Sequence, residues 1–305
     1  MEIVILGTSS AAPTLRRGLS GTVVIREGET ILFDCGEGTQ FQLIKRHIPR
    51  RKFHHILITH LHGDHIFGLG GLISSLNLSQ REYPLHIHGP RGIARFVNFM
   101  TGFPRPTKLG FEVRVNELSP RFEGVVYEGA GYRVLASPLD HTIPAIGYRI
   151  QEHDLPGRFD EEEAERLGVP FGPIRGRLVR GETVTLDDGT VVRPEDVVGP
   201  PRRGKSVAYC LDTAPCKGSL RLARDVDVLI HEATYADEFE GMAHDRKHTT
   251  IRQAATIAHE AGARRFIATH FSTRYDGPAI ARLEAEGREV FPDLIVARDG
   301  LRVEI

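Results

Sequence analysis

Apolar residues in this chain fall into short runs rich in β-branched and aromatic side chains, set apart by polar, glycine-containing stretches. Such runs at residues 22–25, 31–33, 56–58, 85–87, 132–136, 207–209, 226–230 and 265–268 read as strands. Elsewhere the apolar spacing lengthens to three and four residues, which predicts helices over 64–76, 93–101, 249–261 and 278–286. Thr249 or Thr250 supplies an N-cap for the third of these, and Gly262 its stop. Alternating strands and helices place the chain in the α/β class. Residues 1–7 carry no basic segment or cleavage site and read as a first strand instead of a signal peptide.

The rhythm breaks once, over residues 151–205. This stretch begins with Asp160-Glu161-Glu162-Glu163, passes through Gly172-Pro173-Ile174-Arg175-Gly176-Arg177-Leu178 and closes on Pro200-Pro201-Arg202-Arg203. A segment this long without the strand–helix alternation marks an excursion from the body with some structure of its own. Around it, 305 residues of which 40% are hydrophobic supply one large domain over residues 1–305. No apolar run approaches a membrane span. A net charge of −1 gives no general pull toward nucleic acid, so any such contact uses local basic patches. Three cysteines without a C-x-x-C pair favour a reduced, cytoplasmic setting.

The chemistry concentrates where predicted strands stop. After the run 56–58 comes Thr59-His60-Leu61-His62-Gly63-Asp64-His65. His60 and His62, two apart, reach one metal ion, while Asp64 and His65, beyond a glycine, point to a second nearby. Imidazole and carboxylate without thiolate suit zinc, with manganese or iron as substitutes. His141, Asp212 and His270 each follow another strand-like run and complete a two-metal set, with Asp212 the carboxylate placed to bridge. A lone histidine at a strand end is more often structural, and the first motif is what lifts these three above that reading. His54, His55, His86 and His88 read as packing or surface residues, and Cys210 as a buried, inert thiol.

The H-x-H-x-D-H motif, preceded by Phe33-Asp34-Cys35-Gly36-Glu37-Gly38 and followed by the isolated His141, Asp212 and His270, resembles the metallo-β-lactamase superfamily. More narrowly, His231-Glu232-Ala233-Thr234, His248, the segment 270–275 and the Gly-Pro core at 172–178 resemble the ribonuclease Z family over essentially the whole chain. The resemblance implies a four-layer αββα sandwich with a protruding flexible arm, formed by residues 151–205, that grips tRNA. Gly172, Pro173, Gly176 and Arg177 stand at the core of that arm. It implies two Zn2+ per subunit, one on His60, His62 and His141, the other on Asp64, His65 and His270, with Asp212 between them; Mn2+ is an alternative occupant. It also implies a homodimer that removes the 3′ trailer from precursor tRNA in the cytoplasm, leaving a tRNA 3′-hydroxyl.

In that reaction two cations activate a water and neutralise the transition state, and Asp64 also accepts the water's proton. His248 lies outside the ligand set and is assigned as general acid to the departing 3′-oxygen, held by Glu232. Arg274 pairs with a phosphate oxygen, and Asp34 orients a ligand histidine from behind. The family's Pro-x-Lys-x-Arg-Asn-like loop corresponds to Pro13-Thr14-Leu15-Arg16-Arg17-Gly18, without lysine or asparagine, so rejection of CCA-ended tRNA is not carried over. Two other readings compete: a general phosphodiesterase or esterase on the same scaffold, and a non-catalytic RNA-binding relative. The arm and His248 speak against the first, the complete ligand set against the second.

Overall fold

The side-chain alternation of a strand sends successive residues to opposite faces, and in the central strands both faces are apolar, so those strands must be covered twice. In the computed structural model, which describes residues 1–49, 53–103 and 108–305, the chain forms two units, Met1–Ile150 with Ser206–Ile305, and Gln151–Lys205. The strands of the first half are β1 (Glu2–Gly7), β2 (Gly21–Arg26), β3 (Glu29–Phe33), β4 (Phe53–Leu57), β5 (Leu85–Pro90), β6 (Val113–Leu118), β7 (Gly124–Gly129), β8 (Tyr132–Leu139) and β9 (Ala145–Glu152). Those after it are β10 (Val184–Thr185), β11 (Val191–Val192), β12 (Ser206–Cys210), β13 (Val228–Glu232), β14 (Phe266–Thr269), β15 (Ile295–Val296) and β16 (Arg302–Glu304).

The large unit holds two seven-stranded sheets, ordered β16-β1-β2-β3-β4-β5-β6 and β15-β14-β13-β12-β9-β8-β7. In the first, β16 to β3 pair antiparallel and β3 to β6 parallel; in the second, β12 to β15 are parallel. Ile3, Ile5, Ile31 and Phe33 of one sheet and Val228, Ile230 and Ile267 of the other form a shared inner core. Their neighbours in sequence, Val4, Leu6 and Leu32, face helices Thr39–Lys45, Leu69–Leu78 and Ile93–Gly102. Leu229, Phe266 and Ala268 face Lys217–Ala223, Ile251–Glu260 and Gly277–Arg288. This is the metallo-β-lactamase fold, two mixed sheets flanked by helices. Among the described residues, no helix is long and apolar enough to cross a membrane.

Two helices depart from the sequence reading. The expected helix 64–76 is two, Gly63–Ile66 and Leu69–Leu78. The break at Phe67–Gly68 lets the Gly68 N–H donate to the Cys35 carbonyl, and a Cβ at Gly68 would collide with Gly36. The third helix starts at Ile251, where Thr250 and Gln253 form a capping box, so Thr250 is the cap.

Residues 151–205 carry helices Glu161–Arg166, Pro173–Val179 and Pro194–Val197 and the β10–β11 hairpin. Ala164, Val169, Leu178, Val184, Val192 and Val197 form their own small core. Gly172 precedes the second helix at φ 136°, where a side chain would be strained, and Pro173 opens it. Arg177 bonds Glu182 at 2.9 Å.

Candidate metal centre and active site

The ends of β3, β4, β8, β12, β13 and β14 deliver their following residues to one place. Three of those residues, Asp34, Asp212 and His270, take left-handed backbone at φ 54°, 51° and 60°. Non-glycine residues adopt that region at a cost of about 1 kcal/mol or more, and they do so where packing over-determines them, commonly at active sites.

His60, His62, His141 and Asp212 bring one ligand atom each to within 4.8 Å of one another, and so do Asp64, His65 and His270. His62 Nδ1 lies 3.0 Å from His60 Nε2 and 3.3 Å from His141 Nε2. Asp212 stands among both groups, its Oδ2 3.6 Å from His60 Nε2 and its Oδ1 3.1 Å from His270 Nε2 and 3.2 Å from His65 Nε2. Despite complete burial, Oδ1 makes no hydrogen bond. Converging imidazole nitrogens and an orphaned carboxylate oxygen are what a shared cation satisfies, so the residues fit bound metal.

The groups behind them fix which nitrogen faces inward. His65 Nδ1 donates to Asp34 Oδ2 at 2.8 Å, and Asp34 also accepts from the Thr59 N–H at 2.8 Å and Tyr209 hydroxyl at 3.1 Å. His141 Nδ1 donates to the Lys247 carbonyl at 3.0 Å. Asp64 Oδ2 accepts from the Ala11 N–H at 2.8 Å, Ala11 having φ 62°. Burial drives His60 well below the ordinary imidazole range, aided by neighbouring His65. Burial also opposes charge on His65, but Asp212 and Asp34 outweigh it and hold that ring well above the range.

His248 sits beside this set, its ring 5.1 Å from that of His141. Its Nδ1 lies 2.9 Å from Glu232 Oε1. Glu232 is buried and also accepts from the Thr213 N–H at 2.7 Å and the Thr234 hydroxyl at 2.6 Å. Burial works against charge on His248, and the Glu232 carboxylate overcomes it, raising the imidazole to about 9. Asp212, His248 and His270 also approach closely enough to share an ion. Arg274 stacks over Phe239 and Tyr235, 4.6 and 5.3 Å from their ring centres, with Nε 3.2 Å from Ser272 Oγ. Its contacts do not reach the ligand groups directly. Thr59, Tyr209, Thr234 and the Lys247 carbonyl were not singled out from sequence; of these, only Thr59 and Thr234 lie inside motifs that mark them.

The first part of the chain, residues 16–137, matches the model of the metallo-β-lactamase superfamily, and residues 183–271 that of a β-lactamase superfamily domain. The chain is 44% identical to a ribonuclease Z of Geobacillus kaustophilus over 98% of its own length and 97% of that protein. The chain belongs to the ribonuclease Z family. A ribonuclease Z of Salinibacter ruber is 45% identical over the full chain and 94% of its own length. The crystal structure of the human short-form tRNase Z aligns over 100% of this chain and 99% of that one, with a TM-score of 0.72 and 28% identity. Ribonuclease Z membership together with the clustered ligands makes the protein a metal-dependent endoribonuclease.

Proposed function

We propose that this ribonuclease removes the 3′ trailer of precursor tRNA, leaving a 3′-hydroxyl on the tRNA and a 5′-phosphate on the trailer. The observation that carries the reading is full-length similarity to ribonuclease Z proteins, which takes in residues 151–205 as well as the site. His60, His62 and His141 would hold one Zn2+ and Asp64, His65 and His270 the other, with Asp212 shared. Bound there, two zinc ions supply an activated water at neutral pH and neutralise charge on the phosphate.

The chain's own residues do the rest. His248 carries the proton for the departing 3′-oxygen, and Glu232, fixed by Thr213 and Thr234, holds its ring. Asp34 and the Lys247 carbonyl keep His65 and His141 in the tautomers that present Nε2 inward. Arg274, flattened on two aromatic rings, keeps an edge for a phosphate oxygen. Gly172, Pro173, Gly176 and Arg177 belong to the arm that holds tRNA. A cytoplasmic homodimer accords with three free cysteines and with Phe41 and Phe99, each more than 60% exposed on helices covering one sheet.

A cleavage assay on a pre-tRNA with a 3′ trailer, run with zinc and with chelator, tests the function. A chelator-sensitive cut next to the acceptor stem is the expected result. Two bound metals and hydrolysis of a small diester without any cut in pre-tRNA would replace it with a general phosphodiesterase.

A further inference from the structure

Phe67 stands two residues past the ligand motif yet is 59% exposed. It lines the same cavity, of ≈ 580 Å³, as His62, Asp64, Asp212 and His248. The ring is held in place: a Cβ at Gly63 would collide with it, and Phe96 stacks beside it with centroids 6.3 Å and planes 27° apart. A rigid aromatic face is thus open at the mouth of a polar pocket. Glu37 lines that pocket too, and its exposed carboxylate has no partner among the described residues.

We propose that Phe67 and Glu37 form a nucleoside subsite: the ring stacks on the base of a nucleotide flanking the scissile phosphate, and the carboxylate accepts that nucleotide's ribose 2′-hydroxyl. The inference rests on the RNA-processing function proposed above and names how that site holds its substrate. Metals and histidines address only the phosphate, which is the same in every nucleotide. Every base has a π-face, so a stack holds the strand next to the cut without demanding a sequence. The 2′-hydroxyl is the group that separates RNA from DNA, and a carboxylate accepts from it directly.

The experiment uses pre-tRNAs that carry an abasic nucleotide or a 2′-deoxyribose on one or the other side of the cut. Wild type, Phe67→Ala, Phe67→Tyr and Glu37→Ala are compared by kcat/KM, with metal content and melting temperature recorded for each. An abasic nucleotide at one flanking position should cost the wild type about ten-fold. The same lesion should cost Phe67→Ala nothing further, while Phe67→Tyr keeps the penalty. The 2′-deoxy substitution should likewise lose its effect in Glu37→Ala. Equal abasic penalties in wild type and Phe67→Ala overturn the stack, and equal deoxy penalties overturn the role of Glu37. Where Phe67→Ala loses metal or melts early, Phe67→Leu, which keeps bulk without a π-face, replaces it in the cycle. Wild type that leaves every pre-tRNA uncut removes the function itself, and the subsite with it.

Discussion

Two groups of histidines stand on this fold, and their surroundings separate chemistry from packing. At the metal centre the rings meet edge to face, His60–His62 at 84° and His62–His141 at 83°, so that nitrogens converge. Asp34, Asp64 and Asp212 stand among them. On β4 and β5, His55, His86 and His88 instead lie flat on one another and on Tyr127. The His55 and Tyr127 rings are 3.9 Å apart at 7°, and those of His88 and Tyr127 5.0 Å apart at 20°. His55 Nδ1 and His88 Nε2 approach to 3.1 Å, as close as the ligand pairs do. Yet this row is absent from the ligand groups that converge among the described residues. Burial opposes charge in both places. Carboxylates reverse it for His65, whereas the row has none among its stacked rings, and His55 falls to about 3 and His88 to about 4. Imidazole count does not make a metal site; ring orientation and adjacent carboxylates do.

The sharpest division is between a histidine backed by a carboxylate and one backed by rings. His248→Ala should lower turnover on pre-tRNA by about 10²- to 10⁴-fold with metal content intact, measured by single-turnover cleavage and metal analysis. Loss of metal along with activity would make His248 a ligand, as its approach to Asp212 and His270 allows. Next in size is Asp34→Asn. It keeps the Thr59 contact within reach but replaces the charge behind His65, so metal affinity should fall by about 10- to 100-fold in a competition titration with a chelator. An unchanged affinity would reduce Asp34 to a packing group.

That division explains what was legible in the sequence. Nine of the strands and the residues that meet at the centre could be located from apolar runs or from motifs that end a strand, whereas the two-sheet sandwich came only as what the family resemblance implies. Contacts between distant segments left no such mark. Tyr209 donates to Asp34 across 175 residues, and Lys247 offers its carbonyl to His141 across 106. The left-handed backbone at Asp34, Asp212 and His270 was equally silent, since propensity favours glycine there and tertiary packing overrides it. Strands β6, β7 and β9 escaped notice among others; β6 alternates as Val113-Arg114-Val115-Asn116 and so offers no continuous apolar run. The histidine row looked like ordinary packing, and only the structure shows its rings stacked.

Stability of the metal-loaded protein falls as pH falls at both the centre and the row, because metal holds the ligand histidines unprotonated only in the folded state. The row is read as the part of that fall that its own substitutions remove. For His55 and His88 the folded pKa lies below the unfolded value of 6.5, so the unfolded chain binds more protons between about pH 6.5 and pH 4. Their contribution is therefore complete above pH 6.5 and is lost as pH falls through that window. For His88, the fall from 6.5 to about 4 corresponds to about 3 kcal/mol. Urea unfolding of the metal-loaded protein at pH 6.5 and pH 5 should show this loss, and His55→Phe with His88→Asn should reduce it by the share of the row. A loss left undiminished by the double substitution would show that the row does not titrate in this window.

The smallest effect asks whether a carboxylate alone carries the row toward the behaviour of the centre. Asn116 Nδ2 lies 3.3 Å from His88 Nδ1 on the neighbouring strand, and the residue is exposed, so Asn116→Asp adds a charge at little desolvation cost. Opposite charge at that distance favours the imidazolium and raises the folded pKa of His88 toward 6.5. The acid loss of stability should then shrink, with the folded state keeping about 1 kcal/mol more than wild type at pH 5 after solvent screening of the exposed carboxylate. At pH 7.5, where His88 is neutral in both, the two proteins should differ by less than that. Histidine NMR titration gives the pKa directly. A His88 pKa that stays near 4 beside the new carboxylate would mean that the stacked rings, and not the missing charge, keep this row neutral.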